Sequence, residues 1–202
     1  MLAVSEKIKN FKIELDERRI LRLIGYKKKS YEVTDAVKSL IAEEKKKLDD
    51  LLQPISIFTI IAYDETNNHP IFMNATKIAL CICTIGPKLE GEVKELMKKN
   101  ELLRALILDA LGSEAVEEVA IQSDEFLAEK AREMNLWPSK RFSPGYKRWD
   151  IKEQRFVFQI LPPHEIGVSL LKESCMMIPR KSISFRINFY KEQKFSTRKQ
   201  KN

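Results

Sequence analysis

Residues 77–85 constrain the fold most, because they are apolar on both sides of an alternating pattern. Ile78, Leu80 and Ile82 alternate with Ala79, Cys81 and Cys83. Successive side chains of a strand point to opposite faces, so this strand must bury both. It belongs in the middle of a sheet with a covering layer on each side. Gly86-Pro87 breaks it. A second strand is predicted at 55–63, rich in β-branched and aromatic residues, followed by a turn at 64–69 where Asn67-Asn68 suits a hairpin. Residues 182–189 alternate cleanly, with Ile183, Phe185, Ile187 and Phe189 against Ser182, Ser184, Arg186 and Asn188. That pattern predicts a half-exposed strand.

The N-terminal third mixes both periods. Residues 7–15 carry Ile8, Phe11, Ile13 and Leu15 in partial alternation and read as a strand. A short helix follows from Asp16 through Ile20, Leu21 and Ile24, ended by Gly25; residues 26–31 read as a basic loop. Thr34 suits the N-cap of a long helix reaching Leu52. Val37, Leu40, Ile41, Leu48, Leu51 and Leu52 fall on one face of it, and Glu43, Glu44 and the lysines at 45–47 largely on the other, solvated one.

Helices are also predicted at 88–99 and 101–134. The first half of the second, 102–111, is apolar nearly all round and reads as buried. Asp109 interrupts it, and a buried carboxylate needs a partner. That partner could be a backbone donor, a lysine or a ligand's ammonium group, with a structural pairing favoured. Gly112-Ser113 permits close approach of another backbone. Glu114, Glu117 and Glu118 read as exposed acids. Asp150 and Glu153 form a capping box that opens a helix to about Leu161, and a strand is predicted at 168–171. About five strands separated by helical pairs indicate an α+β fold with a mainly antiparallel sheet. Residues 1–190 read as a single domain and 191–202 as a basic, disordered tail.

The chain has 202 residues, 44% hydrophobic and 32% charged, the balance of a soluble globular protein. No apolar run approaches the roughly 18 residues of a membrane span, and no signal peptide opens the chain. A cytoplasmic protein without membrane contact is expected. Cys81, Cys83 and Cys175 are odd in number and read as buried structural thiols. The net charge of +7 rests largely on the tail, which holds five basic residues. No nucleic-acid partner is expected, since no nucleic-acid-binding motif accompanies the charge. There is no dinucleotide or phosphate-binding loop and no nucleophile elbow.

The stretch Arg141-Phe142-Ser143-Pro144-Gly145-Tyr146, with Trp149 behind it, carries the chemistry. Pro144 presets one turn dihedral and Gly145 accepts a positive one, so the chain reverses tightly. Arg141 and Tyr146 can then face one small space. A guanidinium fork and an aromatic face suit a ligand with a carboxylate and a flat ring. The alternative is a surface turn beside a core aromatic, and these residues alone leave both open.

Three ordered motifs carry a resemblance. The stretch just quoted, with Trp149 and Gln154, resembles the Arg-Pro-x-Pro-Gly-Tyr signature of the activation domain of cobalamin-dependent methionine synthase. Glu173-Ser174, Met177-x-Pro179 and Ser182-Ile183-Ser184 resemble the Glu-Ser, Met-x-Pro and Ser-Val-Ser block near that domain's end. Residues 84–90 and 108–117 resemble a stretch common in small free-standing members. The resemblance spans about residues 84–187. It implies an α+β fold with an antiparallel sheet, and binding of S-adenosylmethionine as cofactor. It implies a ligand site in which Arg141 holds the carboxylate, the Ser143 backbone at the Gly145 turn meets the adenine edge, and Tyr146 lies near the reacting methyl as the catalytic side chain. Asp109 is the carboxylate taken as the candidate for the ammonium. The implied role is an accessory subunit that remethylates the cobalamin of a separate methionine synthase lacking its own activation domain, in methionine biosynthesis, with a low-potential electron donor such as flavodoxin or ferredoxin. Cobalamin would come with that partner, because the Asp-x-His-x-x-Gly loop is absent around His69 and His164. The chain departs from the family at Ile187, where an aromatic is usual, and at Arg180-Lys181, where small residues are usual. The acid that the family places before its first helices for the ligand's ammonium has no counterpart located here. That and the Ile187 departure motivate a second reading, a module that docks on a corrinoid protein without binding S-adenosylmethionine.

Overall fold

The computed structural model describes residues 4–26, 32–66, 70–72, 74–146 and 149–192. Its centre is strand β3 (Lys77–Thr84), which pairs antiparallel with β2 (Ile55–Ala62) on one edge and β7 (Ser182–Tyr190) on the other. Ile57 lies opposite Ile82, and Leu80 opposite Arg186. Strands β1 (Glu6–Ile8) and β4 (Trp137–Pro138) close the two ends, giving the order β1-β2-β3-β7-β4 with every neighbour antiparallel. Strands β5 (Ser169–Leu170) and β6 (Met177–Ile178) form a separate two-stranded sheet. The architecture is α+β and mainly antiparallel, as the sequence indicated.

Both faces of β3 are covered, for the reason its sequence gave. Ala79, Cys81 and Cys83 pack with Phe58, Phe185, Ile187 and Phe189 under a helical layer. That layer contains α1 (Glu17–Leu23), α2 (Asp35–Lys45), α4 (Lys88–Lys98) and α5 (Leu102–Glu133). Helix α5 runs 32 residues, about 48 Å, and buries Leu108, Leu111, Ala115, Val119 and Leu127. Ile78, Leu80 and Ile82 face the opposite core, with Ile57, Ile61, Phe72, Trp149, Val157 and Leu161. Burial pushes both strand thiols up, Cys83 to about 12, so they remain protonated and inert.

Helix boundaries follow local chemistry. Asp16 caps α1 by accepting from the Arg18 amide, and Gly25 follows with φ +109°. Asp150 accepts from the Lys152 amide at 2.8 Å and opens a 3-10 turn (Ile151–Glu153) that leads into α6 (Gln154–Ile160). Helix α5 passes through Gly112 unbroken. A Cβ there would sit 2.6 Å from Leu89 Cδ2, so the close approach is made by a side chain of α4 rather than by another backbone.

Six sequence expectations are corrected. The strand expected at 7–15 is paired only over Glu6–Ile8. The helix expected from 34 to 52 breaks after Lys45, and α3 (Leu48–Leu51) resumes it. Its Glu44 is buried, held by Arg104 Nε at 2.6 Å and Lys47 Nζ at 2.8 Å. The start of α5 is amphipathic rather than buried all round: Leu102, Leu103 and Leu106 are exposed. Glu114 is buried rather than exposed, facing Arg19 of α1 at 3.4 Å. The polar side of β7 is covered as well, with Ser184, Arg186 and Asn188 all buried. The 67–69 turn and all of the basic tail beyond Glu192 lie outside the described residues.

Candidate functional site

The 141–146 stretch pairs with the edge of β7, in line with β4. Phe142 donates its amide to the Arg186 carbonyl at 3.0 Å and accepts from the Arg186 amide at 2.8 Å. After this bridge the chain turns. The Tyr146 amide donates to the Ser143 carbonyl at 3.3 Å, and Gly145 has φ +89°. Pro144 followed by a residue of positive φ is the type II arrangement. The Gly145 amide also donates to the Trp149 carbonyl at 2.7 Å, and the Trp149 ring is buried in the core beneath.

A cleft of about 570 Å³ opens beside this turn, within the usual size of small-molecule sites. One wall is the stretch itself, through Lys140, Arg141, Phe142, Ser143 and Tyr146. Glu117 of α5 lines it as well, as do Gln154 of α6 and Met177 of β6. Ser182 and Ser184 of β7 line the floor. The floor is polar and its groups are satisfied. Ser184 donates to Gln154 Oε1 at 3.1 Å, and Gln154 Nε2 donates to the Cys175 carbonyl at 3.0 Å. Ser182 donates to the Pro179 carbonyl at 2.7 Å, and its oxygen lies 2.9 Å from the Thr84 hydroxyl, from which it can accept. Each hydroxyl keeps acceptor capacity that a ligand donor can use.

The charged pair of the cleft is Arg141 with Glu117. Arg141 Nη2 donates to Glu117 Oε1, and the guanidinium lies 5.8 Å from the centre of the Phe185 ring. Both side chains are partly exposed. Tyr146 is 70% exposed at the mouth, free to lie along whatever enters. Asp109 is half-exposed and pairs with Lys181 Nζ at 2.8 Å. It is thus not the buried carboxylate the sequence indicated, it has a lysine partner, and the cleft is not lined by it. Ile187 is buried on the helical side of β7, so the departure at that position lies in the core.

No protein-family model matches the chain, and no curated protein sequence does either. The crystal structure of the MetH reactivation domain bound to AdoHcy matches it with a TM-score of 0.67. That match covers 96% of this chain and 81% of the other, at 15% identity. The fold is that of the MetH reactivation domain.

Within this reactivation-domain fold, the structure brings Arg141, Ser143 and Tyr146 to one cleft, with Gly145 shaping the turn. Sequence reasoning missed Glu117 as a cleft residue. The available signal was its setting: it lies among Val116, Val119 and Ala120, all buried on α5, where an acid should face a cation. Lys140, which carries no local signature, was missed too, and Met177 was read only as part of the Met177-x-Pro179 motif, without a place in the cleft. Among the described residues no helix is long and apolar enough to cross a membrane.

Proposed function

We propose that this chain binds S-adenosylmethionine in the cleft and presents its methyl group to the cobalamin of a separate methionine synthase. The observation that carries this reading is the opposed pair Arg141 and Glu117 at the cleft wall, on a fold whose solved counterpart was crystallised with AdoHcy. The residues fit the ligand. Its α-carboxylate matches the Arg141 fork and its α-ammonium matches Glu117, so a zwitterion can enter by exchanging one ion pair for two. The Ser143 backbone and the polar floor offer an edge for a heterocycle, and Phe142 and Tyr146 offer aromatic faces for a ring and a sulfonium.

The bound ligand supplies an electrophilic methyl on a sulfonium, and loss of that methyl leaves the thioether. This chain contributes position. Arg141 and Glu117 fix the amino-acid end, the turn at Gly145 fixes the other, and Tyr146 at the mouth lies along the path between ligand and partner. Such assistance acts by proximity and orientation and vanishes when either component is missing. The partner brings cobalamin, and a low-potential donor brings the electron that an oxidised cobalt needs before it can accept the methyl.

Two measurements test the reading. Titration calorimetry should give saturable binding of S-adenosylmethionine to the isolated chain, without turnover. A cobalamin-loaded methionine synthase lacking its activation domain, given this chain and a reductant, should form methylcobalamin visible by absorption. Docking to that partner without any ligand binding would instead make the chain a corrinoid-docking module.

A further inference from the structure

Arg186 is 7% exposed on a face of β7 that holds no carboxylate. Its guanidinium lies 5.4 Å from the Phe72 ring centre, 5.1 Å from Phe142 and 5.2 Å from Trp149. Its Nη1 donates to Asn188 Oδ1 at 2.5 Å, and its Nε has no hydrogen-bond partner. Among the described residues no acid forms an ion pair with it. Burial pushes the guanidinium down to about 10, with Tyr190 opposing, so it stays charged at neutral pH. A buried arginine is ordinarily matched with an anion. Here three aromatic faces compensate the charge in part, but none cancels it.

This cation lies one side chain away from the cleft. Phe142 lines the cleft and contacts Arg186. Arg141 and Glu117 cancel one another, and Lys140 adds a further positive charge at the wall. The charged groups that line the cleft, with Arg186 behind them, therefore carry a net positive charge. We propose that Arg186 sets the ligand preference of the cleft by charge, favouring a neutral adenosyl thioether over a cationic adenosyl sulfonium. The inference rests on the adenosyl-ligand reading above. A zwitterionic amino-acid end is common to both ligands and drops out of the comparison; the charge at sulfur does not. With one aromatic ring intervening and an effective dielectric between that of protein and that of water, one fixed charge changes the affinity ratio by about five-fold. The aromatic faces of Phe142 and Tyr146 act the other way, drawing the sulfonium in. The consequence is a site that holds the demethylated product and is inhibited as it accumulates.

The test compares three ligands by calorimetry: S-adenosylhomocysteine, which is neutral at sulfur, S-adenosylmethionine, and sinefungin, whose amine replaces the sulfonium and also carries a charge. The wild-type chain should bind the thioether more tightly than either cation. Arg186→Met should narrow both ratios by about five-fold, and Arg186→Lys should keep them. Equal ratios in wild type and Arg186→Met, or a wild-type preference for the two cations, overturn the inference. If Arg186→Met does not fold, the wild-type order of the three ligands still decides. Failure of all three ligands to bind overturns the adenosyl-ligand reading instead.

Discussion

Phe142 and Arg186 exchange both of their backbone hydrogen bonds, at 3.0 and 2.8 Å. The loop that carries Arg141 is therefore docked on β7 by main chain, and its position does not depend on the Arg141 side chain. Arg141→Ala should then leave the melting temperature within a few degrees. It should weaken S-adenosylmethionine binding by about 2 to 4 kcal/mol, the cost of truncating one partner of a charge pair that the bound ligand covers from water. Arg141→Lys should not restore affinity, because a point charge lacks the planar fork. Calorimetry and thermal melts on the same samples check both halves. Unchanged affinity in both variants would remove Arg141 from the site.

Glu117 and Arg141 contact each other, so their substitutions should not add. Glu117→Gln is expected to weaken binding by about 1.5 to 3 kcal/mol, the range for a hydrogen bond to a charged group. Combined with Arg141→Ala, the loss should fall short of the sum. Asp109→Asn, which touches Lys181 outside the cleft, should leave affinity within about two-fold, since a half-exposed pair contributes little. Additive losses for the first pair, or a large loss for Asp109→Asn, would redraw the site.

Burial raises the Glu114 carboxyl above its ordinary value, with Arg19 opposing. The folded state then binds this proton more tightly than the unfolded chain does. Ionised Glu114 costs stability above its folded pKa, and the cost disappears below the unfolded value of about 4.3. Glu114→Gln should therefore melt higher than wild type at pH 7. The gap should close as pH falls through the folded pKa toward the unfolded one. A gap that is constant with pH would show that ionisation is not its cause.

Gly112→Ala tests the seam between α4 and α5. Alanine favours a helix by about 1 kcal/mol over glycine. Here, however, the new Cβ would lie 2.6 Å from Leu89 Cδ2, on a side chain that is fully buried. Leu89 must repack, and overpacking of this kind costs about 1 to 3 kcal/mol. Urea denaturation should show net destabilisation; a stabilised variant would mean the helices separate easily.

All three thiols are buried, and burial keeps the Cys81 and Cys83 pair protonated. An aromatic disulfide reagent should find no reactive thiol in the folded protein and all three in denaturant. Fast reaction under native conditions would show that the sheet opens.

What could be read from the sequence was local. Residues 77–85 announced a doubly covered strand because period-two apolarity needs only its own residues. The Pro144-Gly145 turn followed from two dihedral preferences. The errors were tertiary. Ser184, Arg186 and Asn188 read as a solvent face because polar residues usually meet water; nothing local shows that α6 and Trp149 cover them. The Arg141–Glu117 pair spans 24 residues of sequence, and an acid on a helix gives no hint of which distant loop returns to it. The interruption between α2 and α3 is the opposite case, a continuous apolar face that does not guarantee a continuous helix.

Among the described residues strand β7 is the last in chain order, yet it occupies an interior place, between β3 and β4. Its polar face supplies the cleft floor, and its main chain holds the Arg141 loop. A nascent chain that has not yet reached Tyr190 has β3 with one bare edge and neither floor nor loop seat. Such edges invite pairing between molecules, and distant strand pairings close slowly. On the function proposed above, ligand binding therefore requires β7 to be paired with β3, and an adenosyl ligand would report that this last seam of the sheet has closed.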